Sequence, residues 1–167
     1  MLFATRFACV LKEYHMSRMA FVGNKDDAYL GELPATIHHP KLVVAEFQAV
    51  FHFLSNETEI GILHNLTLAR ITVNSELLDL MNTHGTLDNA SEYWFGDTDT
   101  GNALYKQAVF SLAANYIVGN KLSMDATAEA AERQDALQQK ADNCLVHYRR
   151  AVDLLLHGKE TYTFEVV

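Results

Sequence analysis

The sequence contains acidic, histidine and cysteine side chains that could bind metal ions or take part in catalysis. Their spacing indicates whether they form a functional site or only support the fold. The segment Asp97–Gly101 (DTDTG) has the alternating acids of a calcium-binding loop. The third acidic position and the distant bidentate glutamate of such a loop are missing. We therefore interpret Asp97, Thr98 or Asp99 as the N-cap of a helix, whose free amides need such a side chain.

The histidines do not form a metal motif. His64 and His84 lie at helical positions without a second histidine four residues on, so a zinc site of the HExxH type is absent. Cys144 and His147 are three residues apart, but no third ligand or orienting acid is near in sequence, and a buried thiol is the simpler interpretation. P-loop, GxGxxG and GxSxG motifs are also absent. We predict a protein that is not an enzyme and holds no cofactor; a metal-dependent hydrolase using His64, His84 or His147 is the least favoured alternative.

Charge and composition describe a packed, acidic protein. The chain has 167 residues, 49% of them apolar, with 13 Lys plus Arg against 21 Asp plus Glu, which gives a formal charge of -8. Nucleic-acid binding needs a basic face, so this balance disfavours it. Cys9 and Cys144 indicate neither a disulfide framework nor a zinc site. The apolar run Met1–Leu11 contains Arg6, lacks a cleavage site and is too short to span a bilayer, so we interpret it as an extension upstream of Met16 or Met19.

Apolar periodicity predicts four helices. The first starts at Pro40 and ends near Leu54, and the second runs from a capping box at Asn56 to a stop at Gly85. Its apolar residues cover about half of the circumference, which predicts a central helix with neighbours on two sides. The third follows the Asp97–Asp99 cap and stops at Gly119, and the fourth extends from about Asp125 to His157, before Gly158.

The remaining segments are predicted to lack helices. Thr86–Gly101 is predicted to be a polar loop that carries three adjacent aromatic residues, Tyr93, Trp94 and Phe95, at one end of the bundle. Residues 1–39 are predicted to form an irregular arm, 40–158 the helical domain, and 159–167 a tail. The tail alternates strand-type residues and has no other strand to join, so it either packs as an extended segment or pairs with another chain.

Several short segments, in a particular order, resemble one protein family. They are a Pro-initiated first helix, Val73–Leu77 (VNSEL) in the second, Tyr105 with Ala108–Val109 in the third, and Tyr148–Val152 (YRRAV) in the fourth. With Gly158–Lys159 and a β-prone C-terminus, they resemble the head completion (gpL) proteins of contractile-tailed bacteriophages over residues 33–167. Glu160 departs from the family, which tends to have proline at that position.

The resemblance implies an all-α, four-helix bundle-like adaptor with an extended, strand-like C-terminal tail. Its expected role is structural: it binds the portal vertex after DNA packaging and provides the docking surface for the tail. The implied partners are the portal protein, a tail terminator or neck protein, and further copies in a ring of about twelve. Genomic DNA would pass through the channel without specific binding, and the expected location is the neck of the virion, with no membrane involved.

The resemblance also implies two sets of contact residues. Portal contact is expected from the tail: Lys159, Glu160, Thr161, Tyr162, Thr163, Phe164, Glu165, Val166 and Val167. Contact with a neighbouring copy or with the tail of the virion is expected from Tyr93, Trp94, Phe95, Arg149 and Arg150. Arg70, inside the apolar arc of the second helix, is interpreted as part of a polar seam between helices rather than as a subunit contact. The alternative function is a small helical ligand-binding or regulatory bundle with its pocket between helices two and four.

Overall fold

The chain is mostly helical, in agreement with the predicted all-α class. In the computed structural model of the protein, residues 28–54, 56–124 and 131–161 are described. Within these ranges there are six α-helices and one two-stranded sheet. The elements are β1 Glu32–Leu33, β2 Leu42–Val43, α1 Val44–Val50, α2 Glu59–Glu76, α3 Leu78–His84, α4 Leu87–Phe95, α5 Asp99–Met124 and α6 Ala131–His157.

The start of the helical region differs from the prediction. Pro40 does not begin a helix, because Leu42 and Val43 pair with Leu33 and Glu32 in an antiparallel sheet. The first helix therefore begins only at Val44 and is followed by a short 3-10 turn, His52–Leu54. The prediction that no strand exists outside the tail was therefore wrong. Val43 is β-branched, and pairing with Glu32 across the sheet favours the extended over the helical backbone at this position.

The predicted second helix is interrupted at one residue. Leu77 has φ -87° and ψ 5°, outside the helical range, and separates α2 from α3. The cap at the start is Thr58, whose hydroxyl accepts the amide of Gly61 at 3.2 Å, and not the predicted capping box at Asn56. The predicted stop is confirmed: Gly85, with φ +79°, follows the last residue of α3.

The segment predicted to be a polar loop contains helix α4. Thr86 caps it by accepting the amide of Asn89 at 3.2 Å, and Gly96, with φ +77°, ends it. Leu87 and Ala90 are buried at helical spacing. The polar residues between them concealed this short amphipathic pattern.

Helix α5 is longer than predicted. Asp97 accepts a hydrogen bond from the amide of Thr100 at 2.6 Å, which confirms the predicted cap, and a second one from the Thr100 hydroxyl at 2.8 Å. These two hydrogen bonds lower the pKa of the Asp97 carboxyl. The predicted stop at Gly119 was wrong, because α5 continues to Met124. An exposed glycine within a helix lowers the free energy of unfolding by about 1 kcal/mol relative to alanine. The burial of Ile117 and Val118 on the same turn stabilises the helix and offsets this loss.

Helix α5 occupies the centre of the protein, where α2 was expected. It packs against α2 on one side and α6 on the other, and it carries a run of buried residues. That run is Ala108, Val109, Phe110, Ser111, Leu112, Ala113 and Ala114. Small side chains let the neighbouring helices approach closely. The outer side of α2, in contrast, leaves Ile60 and Ile71 exposed.

A polar cluster ties the segment before β2 to the helices. Arg70 donates from Nη1 to the carbonyl oxygen of Pro34 at 2.9 Å, and the ring of His39 stacks on Tyr105 at 4.8 Å. The hydroxyl of Tyr105 donates to Asn74 at 2.7 Å. Burial first, then the charge of Arg70, lower the pKa of His39 to about 4. Arg70 therefore joins α2 to this segment, and the hydrogen bond from Tyr105 to Asn74 joins α5 to α2, in agreement with the predicted polar seam between helices.

Candidate functional site at the end of helix α6

The backbone turns sharply where α6 ends. Gly158 has φ +66°, a conformation that residues with a Cβ rarely adopt, and its amide donates to the carbonyl of Leu154 at 2.9 Å. The predicted helix end is therefore confirmed. We call residues 158–161 the tail root, because they begin the predicted tail.

The tail root and the aromatic residues meet at Trp94. A Cβ added to Gly158 would lie 2.6 Å from Cε3 and 2.9 Å from Cδ2 of Trp94, so the indole lies directly against the glycine. Tyr93, 68% exposed, contacts the indole edge-on with ring centroids 4.8 Å apart. The ring of His84 lies 5.1 Å from that of Tyr93. The structure thus places two groups of predicted contact residues at one end of the protein.

Polar contacts then fold the chain back onto α6. Arg150 donates from Nε and Nη2 to one carboxylate oxygen of Glu160, at 3.0 and 2.7 Å. Thr161 donates to Asp153 from its amide at 3.2 Å and from its hydroxyl at 2.6 Å. We call these two contacts the clasp. The hydrogen bond and the charge of Glu160 raise the pKa of the Arg150 guanidinium above its ordinary value.

The two predicted arginines have different neighbours. Arg149 points away from the clasp, with Nη1 3.8 Å from the carboxylate of Glu76 on α2, and it lies over the ring of Tyr148. The Tyr148 hydroxyl donates to the same carboxylate. Burial and Glu76 both raise the pKa of Tyr148 above its ordinary value. Arg149 therefore helps to join α2 to α6, while Arg150 holds the tail root.

A cleft of about 670 Å³ runs along the outer face of α6 beside the clasp. Its described lining combines apolar and charged side chains at helical spacing: Asp142, Leu145, Val146, Arg149, Arg150, Asp153 and Glu160. Leu145 and Val146 are each 39% exposed. Apolar residues of this kind on an outer helix face favour contact with another segment or protein.

The other predicted site residues have simpler surroundings. Lys159 is exposed and Phe95 is half-buried. Tyr162, Thr163, Phe164, Glu165, Val166 and Val167 lie outside the described residues. Asp153, which the sequence analysis missed, could not have been found from spacing, because an acid near a helix end has many possible partners.

The chemical alternatives gain no support from the described part of the chain. Cys144 is buried, and burial raises the pKa of its thiol. Nowhere in residues 28–54, 56–124 and 131–161 do three His, Cys, Asp or Glu side chains lie close enough to hold a metal ion. The space between α2 and α6, where a ligand pocket was the alternative, holds the Tyr148–Glu76 hydrogen bond. Among the helices of these same ranges, none is long and apolar enough to cross a bilayer.

Comparison with known proteins identifies the family. The sequence profile of the phage head completion protein (GPL) family matches residues 33–167, which is most of the chain. No curated protein and no solved structure matches. This family is a structural component of the phage head and not a class of enzymes. The chain belongs to the phage head completion protein (GPL) family, as its short segments had indicated.

Proposed function

We propose that this head completion protein is the connector between head and tail: it binds the portal vertex after DNA packaging and presents a docking surface to the tail. Its membership of the head completion family supports a structural role in the virion. The observation that carries the connector role is the tail root. Gly158 and Trp94 form the turn at which residues 159–161 leave α6, and Lys159 and Glu160 are exposed at that point.

Residues 159–167 are the portal-binding segment of this proposal. Their strand-type composition suits addition to an exposed strand edge on the portal, which would satisfy the backbone amides and carbonyls of the tail. Side chains alternate between the two faces of a strand, so Tyr162, Phe164 and Val166 would enter pockets on the portal while Thr163 and Glu165 face water.

The end of the protein around Trp94 is the surface proposed for a tail terminator or neck protein. Tyr93 is 68% exposed and Trp94 37%, and Arg149 on α6 is exposed as well. Aromatic residues and arginine are enriched in protein interfaces because they bury large areas and donate several hydrogen bonds.

The outer side of α2 is the surface proposed for contact between neighbouring copies in a ring. Ile60 and Ile71 are 81% and 62% exposed, Leu78 at the start of α3 is 58% exposed, and His64 is the one titratable residue on the face of α2 between Ile60 and Ile71. Two copies that each carry a charge of -8 repel one another, so contact is favoured where charges are fewest. A ring of about twelve such copies would enclose a channel whose acidic lining lets DNA slide.

Portal binding is tested by truncation. A chain ending at Gly158 should lose capture by purified portal rings, while its far-UV circular dichroism stays that of the full chain. Serine at Tyr162, Phe164 and Val166 together should have the same effect, and serine at Thr161, Thr163 and Glu165 is the matched control. Undiminished capture of the truncated chain would show that the tail is not the portal-binding segment.

Ring contact is tested on α2. Ile71→Asp places a charge on the uncharged face and should lower the mass of assemblies formed with the portal, as measured by analytical ultracentrifugation. Because Ile71 is mostly exposed, the free energy of unfolding should change by less than about 0.5 kcal/mol. Gln139→Asp adds the same charge to the exposed side of α6 and should leave assembly unchanged. Equal assembly of both variants would exclude α2 as the contact.

A further inference from the structure

The loop between β1 and β2 is internally hydrogen-bonded and presents an isoleucine. Residues 34–40, which we call the proline loop, begin and end with the two prolines of the chain. The hydroxyl of Thr36 accepts hydrogen bonds from the amides of His38 and His39, at 3.3 and 3.1 Å, and the amide of Thr36 donates to the carbonyl of His39 at 2.9 Å. These bonds fix the backbone around Ile37, which is 86% exposed at the bend.

The base of the proline loop is anchored to the helices. Arg70 on α2 donates to the carbonyl oxygen of Pro34 at 2.9 Å, and the ring of His39 stacks on that of Tyr105 on α5, with centroids 4.8 Å apart. The tip of the loop is therefore preformed, and a preformed contact loses little conformational entropy when it binds. The loop also contains no Lys, Arg, Asp or Glu, so its burial against another protein would remove none of these charges from water.

A cleft of about 530 Å³ lies between α2 and α5. Its lining includes Leu68 and Ile71 of α2 and Tyr116 of α5. Gly119 also lines it, and a Cβ added there would meet nothing within 4 Å. None of the described lining residues is charged. The cleft is therefore open and partly apolar, and it suits an uncharged side chain.

Two other clefts suit an apolar tip less well. The cleft on α6 is lined by five charged side chains: Asp142, Arg149, Arg150, Asp153 and Glu160. The cleft of about 390 Å³ beside Trp94 includes the carboxylates of Glu76 and Asp79. An isoleucine inserted at either place would remove charges from water without offering them hydrogen bonds, which costs free energy. The cleft between α2 and α5 is therefore favoured.

The proline loop and this cleft lie on opposite sides of α2. Leu68 and Thr72 line the cleft, whereas Arg70, between them in sequence, holds the loop. Helical residues two positions apart differ by about 200° around the axis, so Arg70 points about 160° away from both. The loop of one copy can meet the cleft of another when copies are arranged head to tail. We propose that Ile37 of each copy inserts into the α2–α5 cleft of the next.

This insertion rests on the proposed contact of α2 with a neighbouring copy, and it identifies what that copy places there. Ile71, part of the proposed contact surface, lines the cleft. Loop and cleft both lack charged side chains in a chain with a net charge of -8, so they are surfaces through which two copies can approach. One loop makes a small contact, which is weak between two copies and gains strength from repetition around a closed ring.

Disulfide trapping between two full-length copies tests the insertion. In chains that also carry Cys9→Ser, Ile37→Cys should oxidise with Leu68→Cys of another copy at least about fivefold faster than with Ile60→Cys, because Leu68 lines the cleft and Ile60 does not. Ile60 is the matched control: it lies on the same helix about 12 Å away, and it is more exposed, 81% against 43%. Mass spectrometry of non-reduced peptides gives both rates. Equal rates, or faster trapping of Ile60→Cys, would overturn the proposal, since random collision favours the more exposed thiol.

Filling the cleft is a second test that leaves the proline loop unchanged. Gly119→Leu, added to the Leu68→Cys chain, should slow trapping with Ile37→Cys severalfold, because its side chain occupies the cleft. Leucine is a good helix former and Gly119 has open space, so far-UV circular dichroism should show an intact fold. Asn82→Leu is the control, because it adds the same side chain to an exposed position of α3 outside the cleft. Undiminished trapping with Gly119→Leu would show that the loop does not insert there.

The insertion and the proposed ring contact would fail in different ways. If Ile71→Asp lowers the mass of assemblies formed with the portal but Ile37→Cys shows no preference for Leu68→Cys, the insertion is refuted and α2 remains the ring contact. If the preference is found while Ile71→Asp leaves these assemblies unchanged, the ring contact is refuted and the insertion stands as an association of free copies.

Discussion

The contact between Gly158 and Trp94 leads to a measurable expectation. Gly158→Ala requires a Cβ at a backbone φ of +66° and only 2.6 Å from Trp94 Cε3. Placing an alanine in this left-handed backbone conformation lowers the free energy of unfolding by about 1–2 kcal/mol. Alanine also restricts the unfolded chain, which returns about 0.4–1 kcal/mol. The net backbone cost is therefore about 1 kcal/mol.

The steric part of the cost adds to the backbone part. Carbon atoms pack best at about 3.5–4.0 Å, so the indole must move by about 1 Å, and its ring cannot bend. Overpacking of this kind costs typically about 1–3 kcal/mol. We expect Gly158→Ala to lower the free energy of unfolding by about 2–4 kcal/mol in total.

Gly96→Ala is the matched control for the backbone cost. Gly96 also ends a helix with positive φ, +77°, but a Cβ there would meet nothing within 4 Å. We therefore expect a loss of only about 1 kcal/mol. In a chain that carries Trp94→Ala, the cost of Gly158→Ala should fall to the same value. Urea titrations followed by circular dichroism at 222 nm give the free energies of unfolding of the unsubstituted chain and of the four variants.

Two results would refute this reasoning. Equal losses for Gly158→Ala and Gly96→Ala would show that Trp94 yields without cost. A coupling energy between Gly158 and Trp94 below about 0.5 kcal/mol in the double-mutant cycle would show the same. If the coupling is found, the Gly158→Ala chain should also capture portal rings less well, because the displaced indole changes the direction of the tail.

Two further expectations concern the interior. Gly101→Ala should destabilise the protein by about 1–2 kcal/mol, because its Cβ would lie 2.6 Å from the Cβ of the buried Ser91. Gly119→Ala has open space around its Cβ on α5 and should stabilise the protein by up to about 1 kcal/mol. Thermal unfolding measures both changes. A stabilised Gly101→Ala chain would contradict the close approach of α4 and α5. The pKa of His39, about 4 in the folded protein against an ordinary 6.5, means that its neutral form stabilises the fold above pH 6.5 and that this contribution is lost as the pH falls toward 4. His39→Phe keeps a ring against Tyr105 but cannot be protonated, so the free energy of unfolding should fall less between pH 7 and pH 4.5, by about 1–2 kcal/mol. This difference is smaller than the full pKa shift implies, because the ring of His39 is only half-buried and solvent screens its charge. An unchanged pH dependence in urea titrations would show that His39 does not titrate differently on folding.

Local signals were read correctly from the sequence where one residue decides the backbone. Gly85 and Gly158 end helices because only glycine takes a positive φ without strain, and Asp97 caps a helix because its carboxylate reaches free amides three residues away. Gly119 was misread because the same residue type is also tolerated inside a helix when packing of its neighbours outweighs its cost.

The errors at α2 and α4 have different causes. The apolar residues of the second predicted helix indicated neighbours on two sides, but Ile60 and Ile71 remain exposed in the protein. An apolar stripe gives the same pattern whether it faces the protein's own core or another protein. Helix α4 was hidden by Asp88 and Asn89, because a short helix needs only two or three apolar residues when others cover it.

The sequence by itself determined that this chain is helical, that it lacks a catalytic motif, and which family it belongs to, because these properties follow from local periodicity and from residue order. Only the tertiary structure decided that α5 lies at the centre, that Trp94 rests on Gly158, and that Asp153 holds Thr161. Such contacts join residues distant in the chain or on opposite sides of a turn. They depend on how helices pack, and no spacing in the sequence encodes them directly.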